Sequence, residues 1–119
     1  MKTSVKDWYL SAYADDRSGA ETIDTEATFA GAFNCLDDYG DIYLYLGGVD
    51  SYIRESVFER LACLMGVEYE YIYSQWMRCH THSPIFDKRG DFTGYFRESE
   101  TGLRIPAEEI ERRYNSYNE

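Results

Sequence analysis

The chain has 119 residues, with 12 basic and 22 acidic residues for a net charge of −10, and 12 of its side chains are tyrosines. That length predicts one small domain with its own core, and an aromatic content of 17% excludes a disordered acidic tail. No apolar run approaches the ~20 residues that span a bilayer, and MKTSVKDWYL lacks the apolar core of a signal peptide, so a cytoplasmic protein without membrane contact is expected.

Val5–Ala14 reads as a strand, with Trp8, Leu10, Ala12 and Ala14 on one face and Tyr9, Ser11 and Tyr13 on the other. Asp15–Gly19 is turn-like, and Thr22–Asp24 can extend a short second strand. Asp24 or Thr25 can cap a helix running to about Tyr39, with Phe29, Phe33 and Leu36 as its stripe and Ala32 alongside. Gly31 within it costs about 1 kcal/mol relative to Ala. Ile42, Leu44 and Leu46 then alternate with Tyr43 and Tyr45 as a strand, which Gly47 and Gly48 stop.

Asp50 or Ser51 can cap the next helix. Its apolar stripe is Ile53, Val57, Leu61 and Leu64, widened by Phe58, Ala62 and Met65. Gly66 ends it as a residue free to adopt positive φ. The segment after Gly66 fits two patterns. As a strand, Val67, Tyr69, Tyr71 and Tyr73 share a face; as a helix, Tyr69, Ile72, Tyr73 and Trp76 form the stripe. Aromatic alternation favours the strand.

Further on, Ile85-Phe86 and Asp91–Arg97 suit a hairpin across Asp87–Gly90, and Phe92–Arg97 can pair with Leu103–Ile105 across Glu98–Gly102. Pro106 opens a terminal helix, with Glu108/Arg112 and Glu109/Arg113 as i,i+4 pairs and Ile110, Tyr114 and Tyr117 to dock it. The expected fold class is α+β: a single small domain, residues 1–119, of mainly antiparallel sheet packed against two to three helices.

Chemistry-bearing motifs are sparse. Cys35, Cys63 and Cys79 are an odd number without close pairing, which argues against a disulfide framework. Cys35 and Cys63 fall on apolar sides of predicted helices and read as buried thiols. Cys79-His80-Thr81-His82 can offer two or three ligands to zinc, but no second Cys/His cluster completes four. Adjacent Cys79 and His80 are poorly placed as nucleophile and base. No phosphate loop, Walker motif or Ser-centred elbow is present. A non-enzymatic protein with no cofactor or metal is therefore expected.

Charge is the remaining functional signal. Residues 1–50 carry ten acids against three bases, residues 51–78 four against three, and residues 79–119 eight against six. Asp37, Asp38 and Asp41 crowd the end of a predicted helix, where the macrodipole disfavours acids. With Asp15, Asp16 and Asp24 they form the candidate partner-binding set; Glu68 and Glu70 are a second set. An acidic, tyrosine-rich surface suits association with a basic partner. The expected partner is therefore a basic protein or complex, with no direct nucleic-acid contact.

In size, charge and lack of motif the chain resembles small acidic inhibitors of phages and mobile elements, the anti-CRISPR and anti-restriction proteins. That resemblance implies a bacterial cytoplasm, a basic nucleic-acid-binding protein or complex as the partner, and blockage of its phosphate-binding groove by carboxylates presented where phosphates would sit. Separately, LACLMGVEYEYIYSQW (Leu61–Trp76) resembles the helix-turn-helix family in Leu61-Ala62, Gly66 and Ile72. This resemblance implies a regulator or protein-interaction module, with Glu68–Ser74 on a recognition helix.

Overall fold

A computed structural model describes residues 5–15, 25–49, 51 and 53–117. Among them are five α-helices, a 3-10 turn and five strands, in an α+β arrangement. The helices are α1 (Val5–Asp15), α2 (Thr25–Ala32), α3 (Arg54–Met65), α4 (Tyr69–Met77) and α5 (Ala107–Tyr117). The strands β1 (Cys35–Leu36), β2 (Ile42–Tyr43), β3 (His82–Phe86), β4 (Phe92–Glu98) and β5 (Arg104–Pro106) form one antiparallel sheet in sequential order. The 3-10 turn is Leu46–Gly48.

The first segment is a helix rather than the expected strand. Val5–Ala14 has one β-branched residue, and its Val5, Trp8, Tyr9 and Ala12 recur at helical spacing. Tyr9 and Ala12 are fully buried, with Val5 and Trp8 packed beside them. The proposed strand at Thr22–Asp24 and a cap from Asp24 or Asp50 fall outside the described residues.

Helix α2 is shorter than expected. Its last carbonyl, on Ala32, accepts the Tyr45 amide at 2.7 Å, which diverts the chain into the sheet. Cys35 and Leu36 then pair with Tyr43 and Ile42. Cys35 is half-buried in that strand, and Cys63 is exposed on α3, so neither is the buried helical thiol the sequence pattern suggested. Helix α3 follows its apolar stripe, with Val57, Phe58, Leu61, Ala62 and Met65 buried, although Ile53 precedes it without a side-chain cap.

Val67–Trp76 is also not a strand. Gly66 adopts φ 72°, and the Val67 amide returns to the Ala62 carbonyl at 3.0 Å. This reversal delivers α4 against α3. Tyr69 and Trp76, seven residues apart, both pack on Phe58, with centroids at 6.3 and 5.7 Å, while Tyr71 and Ile72 are buried beneath. Helix α4 ends in the same way, with the His80 amide on the Gln75 carbonyl at 2.8 Å. There Cys79, at φ 58°, occupies the left-handed position that glycine usually takes.

The two later hairpins and the terminal helix form as expected, except that Pro106 closes β5 opposite Tyr95 and the helix starts at Ala107. Ile110 is fully buried, Tyr114 packs edge-on to Tyr71 at 5.0 Å, and the Tyr117 side chain lies outside the described part. Glu109 pairs with both Arg113 and Arg112, so the expected Glu108–Arg112 pair is replaced. Between helices and sheet the core is aromatic: Tyr9, Phe33, Phe86, Phe92 and Phe96 meet with centroids 5.2–5.9 Å apart.

One close approach depends on glycine. A Cβ on Gly48 would lie 2.4 Å from the Gly31 carbonyl oxygen, whereas a Cβ on Gly31 meets nothing nearer than 4.0 Å. The two substitutions therefore carry opposite signs. Gly48→Ala is expected to destabilise by about 1–3 kcal/mol through overpacking, and Gly31→Ala to stabilise by up to about 1 kcal/mol through helix propensity. Denaturant unfolding of both variants checks this.

Candidate functional site

The acidic residues expected to gather for a partner divide into different roles. Asp15 ends α1, with its side chain outside the described part, and Asp16 and Asp24 lie outside it altogether. Asp37, Asp38 and Asp41 are not at a helix end. They form the β1–β2 turn, DDYGD, which has the same bonding as the β3–β4 turn, DKRGD, at Asp87–Asp91. In each, the first Asp accepts two amides through Oδ1: Tyr39 and Asp41 at 3.0 and 2.9 Å, and Arg89 and Asp91 at 2.9 and 2.9 Å. Gly40 and Gly90 supply φ 83° and 86°.

In the first turn the carboxylates are also claimed by Arg104. Its Nε donates to Asp37 Oδ2 at 2.8 Å and its Nη2 to Asp41 Oδ2 at 2.6 Å. The guanidinium lies 4.2 Å from the Tyr39 ring centroid. The Asp37 side chain is 2% exposed. Its burial alone would raise the carboxyl pKa, but the Asp41 and Tyr39 amides and Arg104 more than offset this and hold it below the usual carboxylate range. Asp37 and Asp41 are thus internal counter-charges to Arg104, and Asp38 is the exposed member of the three.

The second set is better presented. Glu68 precedes α4 and Glu70 lies in its first turn, where the helix dipole favours acids, and both are exposed. Glu55 and Glu59, one turn apart on α3, are exposed as well. These acids surround an aromatic row: Tyr69 stacks on Tyr73 at 6.3 Å, and Tyr73 meets Trp76 at 6.2 Å. Burial raises the Tyr69 phenol pKa most, and Glu55, Tyr73, Glu59 and Glu70 then add to the rise. Tyr73 and Met77 are 45% and 60% exposed. Among the described residues no cation pairs with Glu55, Glu59 or Glu70. The sequence reading missed Glu55 and Glu59, although their i,i+4 spacing opposite the apolar stripe was the available signal.

The Cys79–His82 segment is divided between surfaces. His80 Nδ1 pairs with Glu100 at 2.5 Å on the exterior. His82 is buried on β3, its Nε2 3.4 Å from Glu98 Oε2, and neither ring nitrogen makes a well-aligned hydrogen bond. Burial depresses the His82 pKa, and the Glu98 carboxylate offsets this only in part. Among the described residues no three His, Cys, Asp or Glu side chains converge as metal ligands, and no helix is long and apolar enough to cross a membrane.

The chain matches no protein-family model, no curated protein and no solved structure. Function is therefore argued from this surface alone.

Asp37→Ala removes the oxygen that accepts the turn's two amides and strands part of the Arg104 charge, so a loss of about 2–3 kcal/mol is expected; Asp38→Ala is expected to stay within about 0.5 kcal/mol. The Asp37 contribution is present above the ordinary carboxylate pKa and is lost as pH falls through its lowered folded value. His82 acts over a different interval. Between its depressed folded pKa and the ordinary value near ~6.5, the unfolded chain binds a proton that the folded chain does not. Stability consequently falls on acidification from pH ~6.5. Urea titrations across this range should show that slope in the natural chain and its reduction in His82→Gln.

Proposed function

We propose that the protein is a non-enzymatic inhibitor that binds a basic, nucleic-acid-handling protein and blocks its nucleic-acid groove, using the acidic aromatic ridge of α3 and α4. The observation that carries this reading is the placement of Glu55, Glu59 and Glu70 around Tyr69 and Tyr73 with no pairing cation among the described residues. Exposed carboxylates on two packed helices present fixed negative charge that speeds encounter with a positive surface. The tyrosines supply rigid contact area at low entropic cost, and Met77 adds adaptable apolar surface.

A second reading is favoured by the helix at Tyr69–Met77. With α3 and the Gly66 reversal, it gives a helix-turn-helix outline, so a regulator or interaction module using residues 61–76 is the alternative. Reading DNA requires phosphate neutralisation by Lys and Arg, and Leu61–Met77 contains neither. The outward side chains of α4 are Glu70, Tyr73 and Met77, which suit a basic protein surface better than a major groove.

Affinity capture from nuclease-treated bacterial lysate, eluted by rising salt, tests the two readings. The natural chain is expected to retain a basic nucleic-acid-binding protein. Combined Glu55→Gln, Glu59→Gln and Glu70→Gln should lower its association rate by about tenfold or more and flatten the salt dependence, with Asp38→Asn as an ineffective control. Equal binding by the triple variant at low salt removes the electrostatic mechanism. Retention of DNA alone, when nuclease is omitted, favours the helix-turn-helix regulator.

A further inference from the structure

A second, oppositely charged feature lies where β2 and the end of α4 meet the outer face of β3 and β4. A groove of about 320 Å³ is lined there by Tyr43, Tyr45, Trp76, Ser83, Arg97 and Ser99, a size in the range of small-molecule sites. Arg97 and Ser83 are direct cross-strand partners and so share a face of the sheet. The Arg97 guanidinium lies over the Tyr43 ring, 4.8 Å from its centroid. Among the described residues, no carboxylate pairs with Arg97 and the Ser83 hydroxyl makes no hydrogen bond.

The contrast with Arg104 is informative. Arg104 is the next cross-strand neighbour of Arg97, and two carboxylates neutralise it. In a chain with 22 acids and 12 bases, Arg97 is nevertheless left with an aromatic ring as its companion. A guanidinium held in that way keeps its donor fork available for two oxygens of a carboxylate or phosphate.

The walls are aromatic and positioned. The Tyr45 ring folds over Gly47, where a Cβ would stand 2.7 Å from its ring and hydroxyl. Trp76 is held from α4 by Phe58 on one side and by Arg54, 4.8 Å from its ring. The Ser99 hydroxyl fixes the far rim by accepting the Thr81 amide at 3.0 Å and donating to the Cys79 carbonyl at 3.2 Å.

We infer that this groove binds an aromatic anion of mononucleotide size, its ring against Tyr45 and Trp76 and its phosphate or carboxylate on Arg97 and Ser83. The probes are adenosine 5′-monophosphate, uridine 5′-monophosphate and 4-hydroxyphenylacetate, with adenosine as the uncharged control, followed by calorimetry and tryptophan fluorescence. At least one anion is expected to bind about tenfold or more tightly than adenosine, and Arg97→Gln to abolish that margin. Gly47→Ala, which displaces Tyr45 and leaves Arg97 in place, should weaken binding independently, and Arg112→Gln should not. Preference for the nucleotides over the carboxylate identifies a phosphate ligand; the reverse identifies a carboxylate. The inference is overturned if none of the three anions binds, or if binding is the same with adenosine or in folded Arg97→Gln.

Discussion

The structure depends most on a single cation. Arg104 sits on β5, one edge of the sheet, yet its guanidinium grips Asp37 and Asp41 in the turn that joins β1 and β2 at the other edge. Four interstrand steps of about 4.8 Å would separate those edges in a flat sheet, well beyond the reach of one arginine side chain. The sheet must therefore curl strongly, as short twisted strands do, and the Arg104 clamp fastens that curl. Tyr39 and Tyr95 flank the guanidinium, at 4.2 and 6.0 Å from their centroids. The clamp is also why Asp37 and Asp41 cannot be read as charge kept for a partner. Removing Asp37 removes fold before it removes field.

The identity of the two Asp-x-x-Gly-Asp turns shows how a local rule was both legible and overlooked. Asp87–Asp91 stands between clear strand patterns and is recognisable as a hairpin. Asp37–Asp41 has the same residues at the turn-determining positions, but a two-residue strand precedes it, too short for alternation to register. Phe29, Phe33 and Leu36 instead extended a helical stripe through it. What decided the matter is non-local: the Tyr45 amide ends α2 at Ala32, a contact that periodicity cannot display.

The same limit explains α1 and α4. In both, a period-two pattern imitates a strand (Trp8, Leu10 and Ala12 in α1, Tyr69, Tyr71 and Tyr73 in α4), and helical spacing fits equally well. Phe58, which packs against Tyr69 and Trp76 together, settles α4 as a helix; fully buried Tyr9 and Ala12 do so for α1. Long stripes and reversals fared better. Helix α3, the Gly66 reversal, both later hairpins and the terminal helix follow from residues adjacent in sequence. The exposed charge was legible in part: Glu68 and Glu70 were singled out from sequence and are exposed at the start of α4, whereas Glu55 and Glu59 were not singled out. Their relation to Tyr69 exists only once α4 folds back on α3.

Trp76 joins the two surfaces that this folding produces. One face of the aromatic row lies among carboxylates with no pairing cation among the described residues, and its far end forms a wall of the groove that holds Arg97. Acidic ridge and cationic groove thus share one short helix, whose position depends on Gly66 at its start and Cys79 at its end. Cys79 is the weaker of the two reversals, because a left-handed non-glycine residue costs roughly 1–2 kcal/mol. That strain is borne beside the groove, with Ser99 holding the Cys79 carbonyl and the Thr81 amide in place. A glycine there would relieve the backbone but add conformational freedom to the segment that sets the rim. The observed residue is consistent with a reversal held by its surroundings, and those surroundings are the residues that line the groove.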